Sequence, residues 1–249
     1  MTAFTVGVTT ARNPVCKRGL AVNLAASLAR APEQTLRVCV VDADPLNLDV
    51  TTRLAVRGPL LEDFAQGAAP DSAALGSVHE PPLWVLPSAG AGVGLTRRAT
   101  EPALSRLRDD FDVVICDLVG GAGGPAMVNG RLEQLDWLLL AVTPEEEPVA
   151  EAAQFLDRFT ARQNRGDIAA TVDIAVVTTG DEGSIGLAPG VVAKALGRPV
   201  VGSIRQLWGR AVPNLGFGAA LGIAELDDAV AALFGHLGGP IGAQYSRAS

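Results

Sequence analysis

Lysine is nearly missing from this 249-residue chain: only Lys17 and Lys194 carry it, and arginine supplies the other positive charges. The net charge is −7, which argues against a strongly basic nucleic-acid surface, because non-specific affinity for DNA comes from Lys and Arg neutralising phosphates. Aromatic residues make up 4%, so a core has to be built from Ala, Val and Leu. There are three cysteines, Cys16, Cys39 and Cys116, and two histidines, His79 and His236. No close-spaced Cys/His set exists among them, which excludes a zinc site of the usual pattern. Cys39 and Cys116 lie inside apolar runs, where cysteine acts as a small core hydrophobe. No apolar run approaches the roughly 20 residues of a membrane span. No basic segment followed by a long apolar stretch opens the chain, so a secretory signal is not expected and a cytoplasmic address is.

What is present is apolar: 48% of the residues are hydrophobic and the mean hydropathy is +0.28. The length suits one large α/β domain. Short apolar runs alternate with longer amphipathic stretches, the pattern of repeated βα units on a mostly parallel sheet with helices on both faces. Strands are predicted at Phe4 to Thr9, Leu36 to Val41 (ending at Asp42), Leu83 to Leu86, Val113 to Cys116 (ending at Asp117), Trp137 to Val142, Ile174 to Thr178 and Val200 to Ile204. Helices are predicted at Gly19 to Arg30, Glu101 to Asp109, Pro148 to Arg162 and Glu225 to His236. Residues 1–237 read as one domain and residues 238–249 as a flexible tail. In open parallel sheets the ligand crevice lies at the carboxyl ends of the strands. Three loops there carry polar residues: Thr10 to Arg18, Asp42 to Asp49, and Asp117 to Gly124.

The segment VGVTTARNPVCKRGLAVNLAASLA resembles the N-terminus of the ParA/MinD ATPases, with Ala21 to Ala25 reading AVNLA as that family commonly does. VVDADPLNLDV is similar to the family's switch I, and FDVVICDLVGGAG to its Walker B strand and switch II. WLLLAVTPEEEPVAEAAQFL and ALGRPVVGSIRQLWGRAVPNLGFG resemble later parts of the same frame, so that the likeness spans about the first 235 residues. Three motifs in register are much more specific than any one of them. The resemblance implies a three-layer P-loop NTPase-like fold, a nucleotide site, a homodimer, and a protein partner in positioning, partitioning or machine assembly.

It also implies site residues. Counting without a gap, Lys17 falls on the P-loop lysine and Arg12 on the family's second, signature lysine. The nucleotide-binding loop is then Arg12, Asn13, Pro14, Val15, Cys16, Lys17 and Arg18. The family pattern has glycine at 13, 14 and 16 and Thr or Ser at 18, and all four are changed. Those glycines let backbone N–H groups turn inward onto phosphate oxygens. Pro14 fixes its φ and has no N–H to donate. Arg18 puts a permanent cation where a neutral hydroxyl would bind Mg²⁺. Binding of Mg²⁺-ATP in the family manner is therefore expected to be impaired, while ATP or ADP could still be held without metal by cations at a helix N-terminus.

The acids match the family pattern. By the resemblance, Asp42 and Asp117 are metal residues and Asp44 positions the attacking water. Two accounts stay open. Arg12, Lys17 and Arg18 pair with Asp42, Asp44 and Asp117 as a structural cluster in a non-hydrolysing scaffold, or an active ATPase works with an unusual loop. A DNA-binding partition protein is a third idea that the acidic balance disfavours. Thr178-Thr179-Gly180-Asp181 stands where the family often has an adenine-reading Asn-Arg, so adenine selectivity is not expected. Arg205, Trp208 and Arg210 read as a solvated loop with one buried aromatic, and Glu145 to Glu147 as the charged start of a helix. The glycine-rich, nearly uncharged end of the chain does not read as a basic amphipathic membrane anchor.

Overall fold

The computed structural model describes residues 3–11, 17, 19–29, 36–44, 46–54, 58–65, 76–78, 83–89, 97–120, 131–179 and 186–206. They form β1 (Phe4–Thr10), α1 (Leu20–Ala29), β2 (Val38–Ala43), α2 (Asp49–Leu54), α3 (Leu61–Ala65), β3 (Gly76–Val78), β4 (Leu83–Leu86), α4 (Arg97–Asp110) and β5 (Val113–Leu118). After a 3₁₀ turn at Arg131–Gln134 come β6 (Trp137–Val142), α5 (Glu146–Asn164), β7 (Thr171–Thr179), α6 (Pro189–Leu196) and β8 (Val200–Gln206).

The strands make one eight-stranded sheet in the order β3-β4-β2-β5-β1-β6-β7-β8. The seven strands from β4 to β8 pair in parallel, and the short β3 is antiparallel at the edge. In β2, β5 and β6 every residue is buried, and in β1 all but Phe4, as expected of parallel strands covered on both faces. Period-two alternation then divides the apolar residues between two cores. Val114, Cys116, Leu138 and Leu140 join Leu104 and Leu107 of α4 and Phe155 and Phe159 of α5 on one face. Val113, Ile115, Leu139 and Ala141 join Leu20, Leu24 and Leu28 of α1 on the other. The result is the expected three-layer α/β architecture.

Helix α5 illustrates how the layers are specified. Val149, Ala152, Phe155, Leu156 and Phe159 recur at helical spacing and are all buried, while Gln154 and Arg158 are exposed. Phe155 and Phe159 stack with ring centroids 6.3 Å apart. Burying each such side chain stabilises by roughly 1.5–3 kcal/mol. Helix α6 ends at Gly197, whose φ of 60° allows its N–H to donate to the Ala193 carbonyl. At the amino-terminal edge of the sheet, Asp136 accepts from the Thr5 amide at 2.8 Å and from Arg108 Nη2 at 2.8 and 3.0 Å.

Several expectations need adjustment. The second and fifth strands run past their acids, so Asp42 and Asp117 lie inside β2 and β5 as register partners, not after them. Polar partners for both carboxylates let the ladder continue where an unpaired buried charge would have ended it. Helix α4 begins at Arg97, a turn before the expected Glu101, with Pro102 inside it. Helices α2, α3 and α6, the edge strand β3 and the 3₁₀ turn were not expected, because each is too short to show a period. The expected helix from Glu225 to His236, the tail 238–249 and the glycine-rich Gly121 to Gly124 lie outside the described residues.

Candidate functional site

The parallel sheet brings the carboxyl ends of β2, β5 and β1 side by side, in that order. Lys17 follows β1, Asp42 and Asp44 come from the end of β2, and Asp117 from the end of β5. The chain leaves β1 toward β2 on one side and leaves β5 toward β6 on the other, which makes this the crevice of the sheet. Thr9 Oγ1 ties β1 to the segment just after β5 by donating to the Val119 carbonyl at 3.2 Å.

Lys17 is the hub. Its Nζ lies 2.8 Å from Asp44 Oδ2 and 2.6 Å from Asp117 Oδ1. Lys17 and Asp117 are each 2% exposed and Asp44 is fully buried. Asp44 Oδ1 also accepts from the amides of Leu46 at 3.2 Å and Asn47 at 3.3 Å, and its Oδ2 from Asn47 Nδ2 at 2.7 Å. This turn holds Leu48 at φ 47°, the one non-glycine positive φ among the described residues, and leaves Leu46 exposed. A left-handed leucine costs on the order of 1 kcal/mol, which the Asp44 contacts help to offset.

Asp42 is satisfied differently. Its Oδ2 accepts from the Thr51 amide at 2.8 Å and the Thr51 hydroxyl at 2.6 Å, and its Oδ1 from the Asp44 amide at 3.3 Å. Thr51 Oγ1 accepts in turn from the Ser88 amide at 3.0 Å. Glu62, buried at the start of α3, accepts from Ser88 Oγ at 2.6 Å and the Ala89 amide at 2.9 Å.

Ionisation follows from this geometry. Burial pushes the Asp117 carboxyl up to about 7; the Lys17 charge and hydrogen bond resist, and the charges of Asp42 and Asp44 add to the rise. Burial also raises Asp42 against the hydrogen bonds from Thr51 and Asp44. For Asp44, burial is outweighed by the Lys17 charge and the bonds from Lys17 and Asn47, so its carboxyl lies below the ordinary range. Burial of Lys17 would lower its pKa, but Asp117 and Asp44 together raise it, and its amine stays charged.

Of the expected site residues, the structure thus gathers Lys17, Asp42, Asp44 and Asp117. Arg12, Asn13, Pro14, Val15, Cys16 and Arg18 lie outside the described residues, as do Asp181, Trp208 and Arg210. Thr51, Asn47, Ser88 and Glu62 were not anticipated. Asn47, three residues after Asp44, carries the one local signal, an Asx-turn spacing; the other three meet only through the fold. Among the described residues no three acidic, His or Cys side chains converge as metal ligands. Asp117 Oδ1 holds the ammonium of Lys17, and both oxygens of Asp42 accept from the protein itself.

No protein-family model and no curated protein matches the chain. Solved structures do. A ParA family ATPase from Chlorobium tepidum TLS superposes with TM-score 0.61 at 20% identity, over 82% of this chain and 84% of that one. The MinC:MinD cell division protein complex of Aquifex aeolicus gives 0.64 at 16% identity, over 82% and 81%. A Cyanothece McdA–ATP complex gives 0.64 at 13% identity, over 82% and 83%. At these identities the likeness is one of fold: this chain has the P-loop α/β fold of the ParA/MinD ATPases.

Proposed function

We propose that the chain is a ParA/MinD-like P-loop protein of the cytoplasm that serves positioning, partitioning or machine assembly as a non-hydrolysing scaffold. One observation carries this: the amine of Lys17 is engaged by Asp44 and Asp117 inside the protein. A P-loop lysine that hydrolyses ATP has to reach the β and γ phosphates. Here reaching them would leave two buried carboxylates without their cation, a loss of several kcal/mol. Arg18, standing at the metal-binding hydroxyl position, supports the same account.

In this proposal Arg12 to Arg18 form a degenerate nucleotide loop, Asp44 keeps the place of the water-positioning acid, and Asp42 and Asp117 keep the places of the metal acids without holding Mg²⁺. The protein works as a homodimer on a protein partner. The MinD of the complex above is bound to MinC, which makes a protein partner the natural expectation for this fold.

A second account is an active ATPase of the same kind. It is favoured by the presence of Lys17, Asp44 and Asp117 together at the strand ends, and ATP binding by the fold is supported by an Asp-to-Ala variant of McdA solved with ATP. Phosphate release from ATP with Mg²⁺, combined with light scattering without nucleotide, separates the two. The scaffold gives no turnover and a dimer mass in the absence of ATP. Turnover lost in Lys17→Ala would establish the ATPase instead.

A further inference from the structure

The acid site and the outer helix α3 belong to different layers, yet a chain of buried and half-buried hydrogen bonds joins them. Thr51 donates both its amide and its hydroxyl to Asp42 Oδ2. The same hydroxyl oxygen accepts from the Ser88 amide. Ser88 Oγ and the Ala89 amide both end on the carboxylate of Glu62, and the Leu61 amide donates to the Pro87 carbonyl at 2.8 Å. Asp42, Glu62 and Ser88 are each at most 3% exposed. Thr51 is half-buried and Ala89 exposed. The carboxylates and the Ser88 hydroxyl at the ends of the links are shielded from water, so a broken link is poorly replaced there and each link constrains the next.

We propose that Thr51 is the joint of this strut, a positioning residue through which a change at Asp42 moves the segment after β4 and the start of α3. The hydroxyl is suited to that task because it donates to one partner and accepts from the other at once. Valine has the same shape and can do neither. Helix α3 packs along α4, so a shift at its first turn reaches the outer layer of the domain. This coupling depends on the residues of the strut and not on whether ATP is hydrolysed, so it stands or falls separately from the function proposed above.

Site-resolved amide hydrogen exchange by NMR on the full chain tests it, read at Ser88 and Ala89 with Leu139 and Ile174 of the central sheet as references for global opening. Thr51→Val raises exchange at Ser88 and Ala89 by about tenfold relative to those references, the loss expected for one buried hydrogen bond. Thr51→Ser, which keeps the hydroxyl, leaves both amides within about threefold of the parent. Asp42→Ala, distant in sequence, raises exchange at Ser88 and Ala89 as Thr51→Val does. The proposal is overturned if Asp42→Ala leaves those two amides as protected as in the parent, if Thr51→Ser opens them as much as Thr51→Val, or if every variant raises the reference amides equally.

Discussion

Lys17 Nζ stands 2.6 Å from Asp117 Oδ1, joining the loop after β1 to the end of β5 across two neighbouring strands. With Asp44 on its other side, this one ammonium pairs with two carboxylates that water hardly reaches. Removing one partner of a buried pair leaves an uncompensated charge, which is far more costly than losing a surface ion pair. Lys17→Met is expected to destabilise the fold by about 3 kcal/mol, near the low end for such pairs because Asp117 can take up a proton. Urea unfolding at pH 7.5 measures it. A change below about 0.5 kcal/mol, the size expected at a surface position, contradicts the ion-pair account.

The same cluster predicts a pH dependence with a defined sign. Asp117 binds its proton more tightly folded, with a pKa of about 7, than unfolded, where it takes the ordinary carboxylate value. Between these two values the unfolded chain has released a proton that the native state retains, so this contribution to stability falls as pH rises from about 4 to 7 and then levels off. Asp44 works in the opposite sense. Its folded value is depressed, so its contribution is present above the ordinary carboxylate value and is lost as pH falls through the lower folded one. The raised Lys17 contributes fully at neutral pH and is lost only at strongly alkaline pH. Urea midpoints in Asp117→Asn should show a shallower decline between pH 4 and 7 than the parent, the raised Asp42 supplying what remains. An unchanged slope would assign it to other groups.

How much of this was legible beforehand follows physical lines. The central strands were read correctly because runs such as Trp137 to Val142 are continuously apolar, and the two-sided burial of parallel strands requires that. The acids could be singled out because the expected strands end at Asp42 and Asp117 and the segments that carry them resemble switch I and the Walker B strand. Thr51, Ser88 and Glu62 were missed because nothing local distinguishes a hydroxyl that caps a buried carboxylate from one that faces water. Their roles exist only after β2, α2, α3 and β4 have packed. The short α2 and α3 escaped for a related reason: six and five residues do not establish a helical period.

Gly7, in the middle of β1, shows how closely the layer above the site is packed. A Cβ there would lie 2.5 Å from Leu135 Cδ1, 2.8 Å from Leu118 Cδ1 and 3.0 Å from Leu138 Cδ1. All three are ends of leucine side chains, which can yield at some cost to packing. Gly7→Ala is therefore expected to lower stability by roughly 1–2 kcal/mol, read as a fall in urea midpoint. Stabilisation, as expected from the entropy of the unfolded chain alone, would show that the leucines rearrange freely.

The altered loop gives a prediction by gain. Replacing Asn13, Pro14 and Cys16 by Gly and Arg18 by Thr restores inward-facing amides and a hydroxyl for the metal. This variant is expected to acquire Mg²⁺-dependent binding of a fluorescent ATP analogue that the parent lacks. If it binds no better than the parent, the loop residues are not what sets nucleotide affinity.

The central claim, that Lys17 serves Asp44 and Asp117 and is not available to a nucleotide, is tested most directly by titrating the purified protein with ATP in a calorimeter, with and without Mg²⁺. The account predicts that Mg²⁺ adds no binding. Micromolar ATP binding that requires Mg²⁺ and disappears in Lys17→Ala would contradict it.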